Sequence, residues 1–67
     1  MQKFEPYKGF EGSIEITDDK YHGIILNIDD FVNYVADYLE ELQKEFHKAV
    51  DDYLVVLKEL NNHNKGR

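Results

Sequence analysis

A chain of 67 residues with no cysteine, 8 Lys and Arg against 14 Asp and Glu, and a net charge of −6 has room for one small domain. A ~60-residue domain buries only roughly 60% of the surface that its unfolded chain exposes. With disulfides and thiolate-bound metal excluded, a second chain is the reinforcement open to it. The acid excess repels phosphate backbones, which argues against direct nucleic-acid binding and suits a basic protein partner. Residues 1–10 have no signal-peptide core, and no stretch reaches the ~20 apolar residues of a bilayer span, so a cytoplasmic chain is expected.

Residues 1–7, MQKFEPY, read as a leader, since Pro6 has no amide hydrogen to give a central strand. From Lys8 the pattern alternates. Phe10, Gly12, Ile14 and Ile16 take one side and Glu11, Ser13, Glu15 and Thr17 the other, the period of a strand buried on one face. Gly9 and Gly12 suggest a bulge or a close backbone approach. Thr17-Asp18-Asp19-Lys20 is a turn. Residues 21–28, YHGIILNI, form a second strand with Ile24, Leu26 and Ile28 on one face. Tyr21 and Ile25 then fall on the other face and are candidates for an oligomer interface. After a turn at Asp29-Asp30, residues 31–36, FVNYVA, make a third strand whose inward face the alternation leaves open.

The period then changes to 3.6. Asp37 is placed to cap a helix, with Glu40 completing a capping box, and the helix is expected over residues 38–60. Leu39, Leu42, Phe46, Ala49, Tyr53, Val56 and Leu60 form its apolar stripe, widened by Val50 and Leu57. Such a helix, ~34 Å long at 1.5 Å per residue, outreaches strands of about 20–30 Å. Its end, with Leu54, Val55 and Leu57, is therefore expected to pack on a second copy. The fold class is α+β: a three-stranded antiparallel sheet followed by one long helix, a βββα domain over residues 1–60. Residues 61–67, NNHNKGR, have nothing apolar to bury and are expected to be a disordered tail.

The chemistry-bearing residues do not converge. The carboxylate pairs Asp18-Asp19, Asp29-Asp30 and Asp51-Asp52 sit in turns or diverge on a helix, whereas two-metal hydrolysis needs them around one point. His22, His47 and His63 lack the spacing of a zinc site. Ser13 is the sole serine, with no histidine at motif spacing, and the glycines do not form a phosphate loop. No catalytic, metal or cofactor site is expected. What remains is an acidic ribbon of Glu40, Glu41, Glu45, Asp51 and Asp52, with Glu11 and Glu15 as a second patch on the open face of the first strand. These carboxylates either solvate the surface or mimic a phosphate backbone toward a basic partner.

Four strings resemble the HicB antitoxin family: YKGFEGSIEI (residues 7–16), HGIILNIDD (22–30), LEEL (39–42) and FHKAVDDYL (46–54). The resemblance implies a partial RNase-H-like βββα fold without a nuclease site. It also implies binding and neutralisation of a small basic mRNA-interferase toxin, HicA-like, by a homo-oligomer (dimer or tetramer). HicB proteins usually continue into a DNA-binding segment, for which the residues after Leu60 are too few, so no direct nucleic-acid contact is expected. The alternative is a solitary HicB-like oligomerisation or regulatory module with no toxin partner.

Overall fold

The computed structural model describes residues 2–65, with side chains through residue 60. In chain order the elements are β1 (Gln2–Lys3), β2 (Ser13–Thr17), β3 (Lys20–Ile24), β4 (Asn33–Ala36) and α1 (Leu39–Lys65). The strands form one antiparallel sheet in the order β1-β2-β3-β4, and α1 returns across one of its faces. The fold is α+β, with one strand more than the sequence suggested.

That extra strand comes from the segment read as a leader. Tyr7 and Phe10 exchange backbone bonds of 2.8 and 3.0 Å around Lys8 and Gly9, whose φ angles are 54° and 86°. Two successive left-handed residues make a type I′ turn, whose twist matches that of flanking strands. The turn folds residues 2–4 back along β2. Gln2 pairs with Ile14, Lys3 with Ser13, and the Phe4 amide donates to the Gly12 carbonyl at 2.9 Å. The next hairpin uses the same device: Thr17 pairs with Lys20, and Asp18 and Asp19 have φ of 54° and 66°. Aspartate tolerates that conformation through bonds to its own backbone, the turn chemistry visible in the sequence.

β3 is shorter than the expected second strand. Beyond Ile24 the pairing thins to a bridge from Ile25 to Gly12 and to bonds from the Leu26 amide to the Glu11 carbonyl at 2.8 Å and from the Ile25 amide to the Val32 carbonyl at 2.9 Å. Asn27, at φ 62°, then turns the chain away. The inward face is also the reverse of the simplest reading. Ile25 is 3% exposed and belongs to the core, so it is not a free interface residue, while Tyr21 packs against that core and keeps part of its surface exposed. Gly23, between them, hid this face in the sequence. It pairs with Tyr34 of β4, whose ring occupies the space that a side chain at position 23 would take.

The core consists of Ile25 and Tyr34 from the sheet and Leu42, Phe46 and Val50 from α1. The helical trio lies at i, i+4 and i+8, the spacing that keeps side chains on one face. Phe46, fully buried, sits among the rings of Phe4, Tyr7 and Tyr34 at centroid distances of 5.4, 6.4 and 5.6 Å. The first helical bond runs from the Leu42 amide to the Tyr38 carbonyl, which makes Tyr38 the cap position. Asp37 instead accepts from Lys20 Nζ at 2.6 Å. At its other end α1 continues past Leu60 to Lys65, so the expected tail is helical over residues 61–65, and residues 66–67 lie outside the described residues. The helix outruns the sheet, and the molecule measures 48 × 18 × 17 Å.

Tyr34 also repairs the junction of β2 and β3. Its hydroxyl donates to the Ser13 carbonyl at 2.9 Å and lies 3.3 Å from the Ile24 carbonyl, while the Ile24 amide donates to Ser13 Oγ at 2.9 Å. Burial pushes the Tyr34 hydroxyl up to about 12. The unfolded chain releases this proton near pH 10 and the folded chain near 12. Stability supported by the neutral hydroxyl is therefore complete below pH 10 and is lost as pH rises through 12. Tyr34→Phe is expected to lower stability by about 1–2 kcal/mol at neutral pH. Its urea midpoint should fall less steeply than the parent's above pH 10; parallel alkaline curves would contradict the role given to this hydroxyl.

Candidate interaction surfaces

Successive helical residues are 100° apart, so Asp51 and Asp52 face different flanks. On one flank, Asp51 receives Lys8 Nζ at 2.8 Å and the Tyr7 hydroxyl at 3.3 Å. Tyr7 stacks on His47 with centroids 3.9 Å apart and planes 13° from parallel. The bonded Lys8 ammonium holds the Asp51 carboxyl below the usual carboxylate range, and Asp51 in turn raises the Lys8 ammonium. Asp51 thus braces the first hairpin against α1 and is occupied within the chain, unlike the free partner-binding carboxylate that the sequence suggested. The pair is half-exposed, so its geometry matters more than its energy.

Glu41, Glu45 and Asp52 are exposed on the other flank, beside β4. Glu45 and Asp52 border a groove of about 500 Å³ between β4 and α1, whose apolar lining includes Val32, Ala49, Tyr53 and Val56. Glu41 and Glu45 border an adjoining polar hollow together with Lys20, Asp37 and Lys44. Tyr53 closes one end of the groove: its hydroxyl donates to Asp30 Oδ2 at 3.0 Å, and Phe10 meets its ring edge-on at 5.9 Å. The Asp30 carboxylate that accepts this bond raises the Tyr53 hydroxyl above its ordinary value. Glu40 is exposed in the first helical turn. The remaining acidic pair does not form a free patch with these groups. Glu11 is bonded by Lys3 Nζ at 3.2 Å, and Glu15 lies 3.8 Å from His22 Nδ1.

The groove was not anticipated from the sequence. The available signal was topological: β4 is the last strand of a meander, so one of its edges has no neighbour, and the helix that follows runs beside that edge. The apolar end of α1 divides. Leu54 rests against the core, whereas Val55, Val56, Leu57 and Leu60 are exposed, Val55 by 52%. Of the five residues expected at an oligomer contact, Val55 and Leu57 are thus the ones open to solvent.

No protein family, curated protein or solved structure matches the chain. The likeness to HicB rests on the four strings alone. Among the described residues, no three His, Cys, Asp or Glu side chains group around a possible metal position. No helix there is long and apolar enough to cross a membrane.

Proposed function

We propose that the chain is a HicB-like antitoxin domain of the cytoplasm, acting by binding and neutralising a small basic mRNA-interferase toxin, HicA-like. The observation that carries this reading is the charge left over after internal pairing. Lys3, Lys8 and Lys20 are spent on Glu11, Asp51 and Asp37. Among the described residues Glu40, Glu41, Glu45 and Asp52 stay exposed and make no ion pair. They span about 18 Å of helix, with Lys44 and Lys48 among them, and Glu41, Glu45 and Asp52 share one flank of a rigid rod that can lie where an RNA strand would lie in a basic groove. Neutralisation then needs no chemistry, only occupation of the toxin's working surface.

The test is co-purification of this chain with the small basic product of a neighbouring gene, followed by calorimetry. Binding is expected at low salt and should weaken as salt rises. Glu41→Lys with Glu45→Lys should weaken it at least about tenfold while leaving the far-ultraviolet spectrum unchanged. Absence of heat at low salt with the neighbouring product would end the antitoxin reading. A second reading, a solitary oligomerisation module with no toxin, is favoured by the exposed Val55, Val56 and Leu57 at the end of α1. It predicts self-association that no basic neighbour alters.

A further inference from the structure

We infer that β4 is a self-pairing edge: two copies of the chain join antiparallel along it and continue the sheet from one protomer into the other. This contact is distinct from one through Val55 and Leu57 and does not depend on a toxin.

The two edges of the sheet are unlike. β1 is 2 residues long and carries Lys3, a short and charged border of the kind that resists further pairing. β4, with the sequence NYVA, is 4 residues long and carries no lysine, no proline and no glycine. Its free amides can be located. The Ile25 amide donates to the Val32 carbonyl at 2.9 Å, and Tyr34 pairs with Gly23. Antiparallel ladders alternate, so Val32, Tyr34 and Ala36 turn their backbone groups toward β3. Asn33 and Val35 turn theirs away. A second copy related by a two-fold axis at Tyr34 sets Asn33 opposite the partner's Val35, and Val35 opposite the partner's Asn33. In that register every outward amide and carbonyl of these two residues has a mate.

Strand pairing over so short a stretch is too little for a stable contact, and the groove beside β4 supplies the rest. The axis that joins the strands also lays the two helices antiparallel, with Ala49, Tyr53 and Val56 of each turned toward the other's groove. Charge on this flank suits a second copy. Glu41, Lys44, Glu45, Lys48 and Asp52 mix acid with base along the helix. A reversed copy can set the acidic residues of such a row against the basic residues of its mate. The outer faces of Asn33 and Val35 are exposed, so both positions can be changed without entering the core.

Sedimentation velocity over a wide dilution range tests the pairing, together with amide exchange. The parent chain should dissociate from dimer to monomer on dilution. At concentrations where it is dimeric, the Asn33 and Val35 amides should exchange at least about tenfold more slowly than in the diluted chain. Asn33→Lys with Val35→Lys places like charges opposite each other across the axis and should give a monomer with an unchanged circular dichroism spectrum. Asn33→Lys with Val35→Glu pairs opposite charges in the same register and should restore the dimer. Val55→Glu should leave this contact intact. A parent chain of monomer mass at all concentrations overturns the proposal, as does an unchanged dimer in the doubly lysine-substituted variant. Protection of the two amides only when a basic partner is added would assign the edge to that partner and overturn it equally.

Discussion

Phe46→Ala should abolish the cooperative unfolding transition at ambient temperature, or move it to the foot of the denaturant curve. Phe46 touches three aromatic rings from three parts of the chain: Phe4 beside β1, Tyr7 in the first hairpin and Tyr34 in β4. It is fully buried, so truncation removes the transfer energy of the ring and leaves a cavity that the sheet cannot close. Such replacements cost about 3–5 kcal/mol. At 0.05–0.15 kcal/mol per residue, a domain of this length has roughly 3–10 kcal/mol to lose. Urea titration followed by circular dichroism reads the effect. A loss below about 1 kcal/mol would mean that Phe46 is not the centre of this core.

Gly23→Ala is the second large effect, and its cause is close approach, since Gly23 is not among the left-handed residues. A Cβ at this position would lie 1.9 Å from the Ser13 carbonyl oxygen and 2.8 Å from Tyr34 Cε1. The nearer obstacle is backbone in a paired strand, so relief requires β2 and β3 to part where Ser13 and Tyr34 hold them together. The expected cost is about 3 kcal/mol, at the upper end of overpacking changes, with loss of the Tyr34 contribution to the alkaline transition. Gly9 makes the contrast. Its Cβ would meet nothing within 4 Å, and only its φ of 86° opposes a side chain. Gly9→Ala should therefore cost about 1–2 kcal/mol, clearly less than Gly23→Ala in the same urea assay.

Much of the fold was legible because it is written in local chemistry. The Asp18-Asp19 turn, the alternation through Ile14 and Ile16, and the 3-4 spacing about Phe46 each correspond to an element in place. What escaped the sequence was nonlocal or small. β1 spans 2 residues, too few for a period, and its turn opens with a lysine in place of the usual Asn or Asp. The inward face of β3 was disguised by Gly23, which supplies space where the pattern seeks an apolar side chain. Ser13 read as an outward polar residue, yet it is buried, because its hydroxyl accepts the Ile24 amide.

The candidate surfaces were legible in the same degree. The acidic residues were all visible, and helical geometry alone separates Asp51 from Asp52. Which of them the chain keeps for itself depends on Lys8, brought 43 positions along the chain by a turn that the alternation did not reveal. The overhang of α1 followed from comparing lengths. The groove along β4 did not, since an empty strand edge leaves no mark in the residues beside it.

The sequential order of the strands has a kinetic consequence. Every ladder joins neighbours in the chain, and two of the three are closed by turns of two residues, so each pairing confines only a short loop. Native pairings that close small loops form early, and a chain built this way reaches its sheet without a slow search for distant partners. The sole element that must wait is the long helix, whose docking on Tyr34 and Ile25 seals the assembled meander.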